Sequence, residues 1–323
     1  MALAAITGGT GFIGRHVVPL LLDRGYKVRA LVRPESQRDV PASIEIVQGP
    51  VTDPAAVASL VRGADVVLHL AGQAHTELKT NSDRERAVTI NVGGSINVLE
   101  ACQKSGTPRV VVASSAHVYA GQSGRSVRED APQQAENLYA QTKIEIEQVA
   151  RKQSRNGIDV VIGRPCLTYG PNVGFNLLKL MRAIDRGMYF HAGHSKVERS
   201  FCSAYSAAAA FVFLAEKGIG GEAYNIADRE PELLEDFTND LADRMRRKHP
   251  RRISYPLLWT AAAGFSVLST AGIHGPITML GLRKLTESFS LNVDKLASAG
   301  FVWPDRGDRA RQDMVNSYLG KSR

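Results

Sequence analysis

Tyr139 and Lys143 lie four residues apart in Tyr139-Ala140-Gln141-Thr142-Lys143, and the segment continues with helical character, so the two side chains share one face. A free phenol titrates near ~10, and a lysine one turn away favours its ionised form, so the pair suits proton transfer at a carbonyl or carbinol oxygen near neutral pH. A second source of hydroxyls is Ser114-Ser115-Ala116-His117-Val118-Tyr119, which follows an apolar run and stands where a strand's carboxyl end would present it to a ligand. His117, His191 and His194 are further candidates for substrate contact or proton transfer, His117 first because it follows Ser115 by two residues. Cys102, Cys166 and Cys202 form no Cys-x-x-Cys pair and no spacing that suits zinc, so no metal is expected.

The other chemical signature is Thr7-Gly8-Gly9-Thr10-Gly11-Phe12-Ile13-Gly14, between an apolar strand and an amphipathic helix. Glycines let the backbone turn sharply and approach a pyrophosphate without a Cβ, and the helix N-terminus offers free N–H groups and partial positive charge. In such a dinucleotide site an acid at the end of the second strand accepts hydrogen bonds from the ribose of NAD. Here Val32 is followed by Arg33, which suits a 2′-phosphate, with Arg38 or Arg15 as helpers, so NADP is expected ahead of NAD.

The elements that must position these residues form an α/β pattern, with short apolar runs alternating with segments of helical period. Strands are expected at Leu3 to Thr7, Lys27 to Val32, Ile44 to Val47, Val66 to Leu70, Arg109 to Ser114 and Asp159 to Arg164. Helices are expected near Phe12 to Arg24, Pro54 to Arg62, Arg84 to Lys104 and Glu136 to Asn156. The expected fold is a Rossmann-type doubly wound parallel sheet over residues 1–165, with a smaller C-terminal substrate-binding lobe over 166–323. Ala223 to Ile226 reads as a strand that returns to the sheet.

The net charge of +8 attracts nucleic acid, anionic membranes and anionic substrates alike. The one basic cluster, Arg244, Arg246, Arg247, Lys248, Arg251 and Arg252, has no interleaved aromatics, which argues against nucleic acid. Ile253 to Leu282 then hold no Asp, Glu, Lys or Arg. Pro256, Pro276 and many small residues dilute this stretch, so it reads as a buried or lid helix, with membrane-surface contact as the lesser alternative. Three unpaired cysteines and no signal-like start suit a cytoplasmic chain whose fold begins at residue 1.

With these motifs assembled, the chain resembles the extended short-chain dehydrogenase/reductase family over nearly its whole length. His69-Leu70-Ala71-Gly72 looks like the family's loop after the fourth strand, Ile90-Asn91-Val92-Gly93-Gly94 like its Asn-Val-x-Gly-Thr segment, and Arg164-Pro165 through Tyr169-Gly170-Pro171 like the strand and loop beside the nicotinamide. Asn176-Leu177, Arg199-Ser200-Phe201 and Tyr224-Asn225-Ile226 are similar to the nucleotide-sugar branch. The resemblance implies Ser115, Tyr139 and Lys143 as catalytic residues, with Ser115 chosen over Ser114 because Val118-Tyr119 fixes the register. It implies cofactor contacts from Gly8, Gly11, Phe12, Ile13, Gly14, Arg33, Asp53, Leu70, Ala71, Gly72, Asn91, Ser114, Tyr139, Lys143 and Pro165, and substrate contacts from Ser115, His117, Asn176, Leu177 and Arg199.

Departures narrow the activity. Ala116 and His117 stand where dehydratases carry Asp and Glu; Pro50, Ala120 and Leu167 replace residues common in the family and its sugar epimerases. The resemblance implies a nucleotide-sugar oxidoreductase, foremost a 4-ketoreductase using NADP. A UDP-hexose 4-epimerase with retained NAD, a 3-beta-hydroxysteroid-type dehydrogenase and a non-catalytic NADP sensor are the alternatives, and a homodimer is expected.

Overall fold

The computed structural model describes residues 1–39, 41–73, 80–119, 124–193, 196–268 and 278–320. The first half runs β1 (Leu3–Thr7), α1 (Gly14–Asp23), β2 (Lys27–Val32), β3 (Glu45–Gln48), α2 (Pro54–Val61), β4 (Val66–His69), α3 (Asn81–Val88), α4 (Gly94–Ser105), β5 (Arg109–Ala113), β6 (Gly124–Val127), α5 (Leu138–Arg155) and β7 (Asp159–Pro165). Then follow β8 (Leu167–Tyr169), α6 (Phe175–Asp185), β9 (Phe190–Ala192), β10 (Glu198–Arg199), β11 (Phe201–Ser203), α7 (Ala204–Lys217), β12 (Ala223–Ile226), β13 (Glu232–Leu233) and α8 (Leu234–Arg244). The chain continues with β14 (Arg251–Ile253), α9 (Tyr255–Leu268), α10 (Met279–Thr286), β15 (Phe289–Leu291), α11 (Asp294–Ser298) and α12 (Gly307–Tyr318).

Seven strands form one parallel sheet in the order β12-β7-β5-β4-β1-β2-β3. Side chains alternate between its faces: Ala4, Ile6, Val66, Leu68 and Val111 join α1 and α7 in one core, while Ala5, Val67, Val110 and Val112 join α2, α4 and α5 in the other. Burial on both faces explains why these strands read as continuous apolar runs. The fold is therefore the doubly wound one expected, and Ala223–Ile226 does return to the sheet beside β7.

The strand order switches sides of β1 between β2 and β4, which opens a crevice at the carboxyl ends of β1 and β4. A smaller sheet (β13-β10-β15-β6) and the short pairs β11-β8 and β14-β9 stand beyond it. There Leu177, Met181, Phe201, Phe237, Leu241 and Met314 form a separate core.

Two expectations need correction. The single helix expected over Arg84 to Lys104 is broken by a π turn at Thr89–Gly93, where Gly94 lies so near Val51 that a Cβ would meet its Cγ2 at 2.6 Å. The uncharged stretch after residue 253 is only partly a buried helix: among the described side chains of α9, Leu258 and Ala262 are buried, while Tyr255, Leu257 and Trp259 are exposed.

Candidate active site

One cleft of about 1340 Å³ runs along the carboxyl edge of the sheet. Gly8 bends the chain out of β1 at φ +72°, and its backbone lies so close to the loop after β4 that a Cβ would stand 2.6 Å from Ala71 N. Gly14 is tighter still, since a Cβ there would meet Gly8 O at 2.0 Å. The first turn of α1 is thereby pressed onto the strand end, with Gly8, Gly11, Phe12, Ile13 and Gly14 all lining the cleft. N–H groups of a first helical turn have no partner inside the helix, so this end suits a pyrophosphate.

Farther along lie Arg33, Leu31 and the segment Gly49 to Thr52, and across from them Leu70, Ala71, Gly72 and Gln73. Arg33 pairs with Glu35 at 3.3 Å, both exposed on the same rim. A dinucleotide fits this donor set: backbone N–H groups at the middle, a guanidinium at one end, and hydroxyl and amine groups at the other. Asp53 takes a different place. Its carboxylate accepts from Ala55 N at 2.9 Å and Ala56 N at 3.3 Å, capping α2 with Pro54 behind it, and it does not line the cleft.

Ser114, Ser115, His117, Tyr139, Lys143 and Pro165 line the same cleft. Asn137 caps α5 by accepting from Ala140 N at 2.9 Å, which puts Tyr139 in the first turn and Lys143 one turn deeper. Ser115 Oγ lies 3.1 Å from His117 Nδ1 and accepts from His117 N–H at 3.2 Å, and its hydroxyl is close enough to the Tyr139 phenol to favour the ionised form. The imidazole meets the phenol edge to face at 5.7 Å between centroids.

The charge state of this pair differs from the simple expectation. Burial raises the Tyr139 pKa, and the group that opposes it is Ser115 through its hydroxyl. Lys143 Nζ stands 5.8 Å from the Tyr139 ring centre and donates to Ala113 O at 2.7 Å. Burial also pushes Lys143 down to about 8, against the pull of Glu147.

Ser114 faces away from this chemistry. It donates to Glu147 Oε1 at 2.6 Å, and the buried Glu147 also receives Arg164 at 2.8 and 2.7 Å, Gln133 at 2.6 Å and Arg151 at 3.0 Å. Burial alone would raise the Glu147 pKa, but Arg164, with help from Ser114 and Arg151, leaves it below the ordinary carboxylate value. Sequence reasoning missed this ion pair. Its signal is that Tyr139, Lys143 and Glu147 recur every fourth residue on one helix face.

A second network sits beneath the cleft. Ser95 Oγ donates to Asn91 O at 2.6 Å, so its oxygen is left to accept from His69 Nε2 at 2.8 Å; the other ring nitrogen then accepts from Thr7 Oγ1 at 2.7 Å. The ring is thus neutral, in accord with a pKa lowered to about 3 by burial and then by Lys143. Thr7 Oγ1 in turn accepts from Ala71 N at 3.2 Å. Asn91 accepts from Gln73 N at 2.7 Å and donates to Gln73 O and Thr142 Oγ1, both at 3.2 Å. The structure therefore corrects the expected role of Asn91: buried at the π turn, it does not line the cleft but ties its loop to the helix of Tyr139 and Lys143.

At the far end, Asn176 and Leu177 line the cleft as expected, joined by Cys166, Leu167, Thr168, Asn172, Val173 and Gly174. Arg199 does not: it is part-buried on β10, with Tyr189 and Glu287 among its electrostatic neighbours. His191 bonds Asn239 at 3.4 Å outside the cleft. His194 and the side chain of Arg38 lie outside the described residues, and Arg15 turns back on Gly11 O at 3.2 Å. Arg86, from the last turn of α3, and Thr89, which begins the π turn, are cleft residues that sequence reasoning missed. Among the described residues, no cluster of His, Cys, Asp and Glu fits a metal.

Comparison with known proteins gives four findings. The sequence model of the NAD dependent epimerase/dehydratase family matches residues 4–227. A 3 beta-hydroxysteroid dehydrogenase/Delta 5-->4-isomerase of Mycobacterium tuberculosis is 30% identical over 281 residues, 81% of this chain and 75% of that one. An N-acetyl-alpha-D-glucosaminyl-diphospho-ditrans,octacis-undecaprenol 4-epimerase of Escherichia coli O157:H7 is 24% identical, covering 93% of this chain and 90% of its own. Among solved structures, the UDP-glucose 4-epimerase of Thermotoga maritima superposes with a TM-score of 0.78 at 19% identity over 99% of both chains, a likeness of fold.

Proposed function

Because the chain belongs to the NAD dependent epimerase/dehydratase family, whose members are extended short-chain dehydrogenase/reductase enzymes, we propose that it reduces the 4-keto group of a nucleotide sugar, with NADP as its cofactor. The observation that carries this reading is the continuity of one cleft, from Arg33 past Ser115, Tyr139 and Lys143 to Asn176 and Leu177. At about 1340 Å³ it exceeds the ~300–1,000 Å³ usual for a single small ligand, leaving room for a second one beyond the cofactor.

The bound cofactor supplies a hydride at the nicotinamide. Ser115 holds the substrate carbonyl oxygen by a hydrogen bond, and Tyr139 donates the proton to that oxygen as it becomes a hydroxyl. Lys143, charged below its lowered pKa, favours the phenolate left behind. His117, in contact with Ser115 and facing Tyr139, borders the same oxygen position. Arg33 leaves Glu35 for the 2′-phosphate of NADP, while Glu35 alone would favour the ribose of NAD. Residues 166–323 supply the substrate side of the cleft, apart from β12 and α7, which complete the sheet and its cover.

A second reading, oxidation of a sterol-like alcohol, has its own support. The M. tuberculosis relative is named for hydroxysteroids, and among the described residues Cys166, Leu167, Thr168, Val173 and Leu177 give the far end of the cleft no cation for a diphosphate. Against it, none of the described residues from 253 to 282 lines the cleft. A panel of UDP-linked 4-keto-6-deoxy sugars, UDP-hexoses and 3-hydroxysterols separates the readings. NADPH consumption with the keto sugars supports the proposal. Interconversion of UDP-hexoses without net cofactor consumption replaces it with epimerisation, and turnover of sterols alone overturns it.

A further inference from the structure

Helix α9 carries no charged residue on either face. Leu258 and Ala262 turn inward onto Ala192 and Leu282, with Ile253 and Leu285 beside them. Outward, Leu257 is 63% exposed and Trp259 46%, next to exposed Tyr255, Pro256 and Thr260. A surface helix in water ordinarily carries charge on its outer face, yet the sequence has no Asp, Glu, Lys or Arg from residue 254 to 282. Met188 and Met279 are exposed as well, Met188 two residues before Phe190, which pairs with Arg251 in the β9-β14 ladder.

The approach to this helix is basic. Arg244 is held by Asp240 and Asp308, Arg247 by Asp185 and Arg252 by Glu235. Arg246, Lys248 and Arg251 are exposed and, among the described residues, have no ion pair. Cations thus lead along the chain into an uncharged helix whose exposed residues include a tryptophan, a tyrosine and a leucine.

We propose that α9 and the cations leading into it form a docking face for an anionic phospholipid surface. Leu257 and Trp259 enter the headgroup–acyl boundary, Tyr255 sits at headgroup level, and Lys248 and Arg251 meet the phosphates. The helix lies in the membrane plane: its 14 residues rise about 21 Å, short of the ~30 Å hydrocarbon core. Among the described residues no helix is long and apolar enough to cross a membrane. The complementary charge selects lipid over a second copy of this chain, whose same face would bring like charges together.

The test is co-sedimentation of the full chain with phosphatidylcholine vesicles, with and without phosphatidylglycerol. The expected result is pelleting with the anionic vesicles, reversal by high salt, and quenching of Trp259 emission by lipids brominated in their acyl chains. Lys248→Gln and Arg251→Gln each weaken binding about fivefold. Leu257→Ser with Trp259→Ser abolishes it while the thermal unfolding transition is kept. Failure to pellet with anionic vesicles, pelleting indifferent to lipid charge, or a lipid-independent dimer that the Leu257→Ser, Trp259→Ser variant dissolves would each overturn the proposal.

Discussion

Two adjacent hydroxyls at the end of β5 have different partners, Glu147 for Ser114, and Tyr139 with His117 for Ser115. Their alanine variants should therefore fail differently. Ser115→Ala is expected to lower kcat about a hundredfold with an unchanged melting temperature. Ser114→Ala removes one hydrogen bond to a buried carboxylate, costing about 1–3 kcal/mol of stability, and leaves kcat within a few-fold. Steady-state kinetics and thermal melts on both variants check this, and the reverse pattern would exchange the roles. A pH profile addresses Lys143. Below its pKa of about 8 the buried amine carries the charge that the phenolate needs, and above it that charge is gone. The reduction rate should therefore fall as pH rises through about 8; a rate flat to about pH 10 would show that the lysine charge is not required. That Ser115, Tyr139 and Lys143 share one cleft was legible in helical spacing and strand-end position, with Ser115 singled out over Ser114 by the family likeness. The job of Ser114 was not, because its partner comes from another element.

At the scale of elements, the Gly-rich turn, the loop after β4, the π turn and α5 are joined by the chain from Thr7 through His69, Ser95 and Asn91 to Thr142. The His69 ring titrates at about 3 in the fold against 6.5 ordinarily, so between these values the unfolded chain binds a proton that the folded one refuses. Its contribution is complete above pH 6.5 and shrinks as pH falls toward about 3, amounting to about 3 kcal/mol lost near pH 4. His69→Gln, which keeps a donor and an acceptor without titrating, is expected to flatten the fall in Tm between about pH 6 and pH 4. An unchanged slope would contradict a neutral buried ring. The strands of the parallel sheet and its doubly wound class were readable from apolar runs alternating with helical segments. The break at Thr89–Gly93 was not, since periodicity alone does not reveal that Gly94 meets Val51. Asp53 carried a visible signal that the family likeness outweighed: an aspartate directly before Pro54 is the signature of a helix cap.

For the molecule as a whole, the sheet supplies the cofactor half of one cleft, while α6 and the loops after β7 and β8 close its far end. Which residues of the later chain face that cleft was the least legible feature. Arg199 sits in a short strand of the smaller sheet, and no local pattern says which way such a strand turns its side chains. The uncharged stretch after residue 253 was visible as composition, but the exposure of Tyr255, Leu257 and Trp259 became evident only in the structure, where α9 turns Leu258 and Ala262 inward. Hydride transfer assisted by Ser115, Tyr139 and Lys143 is tested most directly by following NADPH absorbance with a UDP-linked 4-keto-6-deoxy sugar, using the native chain and Tyr139→Phe. The expected result is consumption by the native chain and loss of at least about a hundredfold in kcat in the variant, with NADPH binding retained. Equal rates in the two proteins would contradict a proton donated by Tyr139.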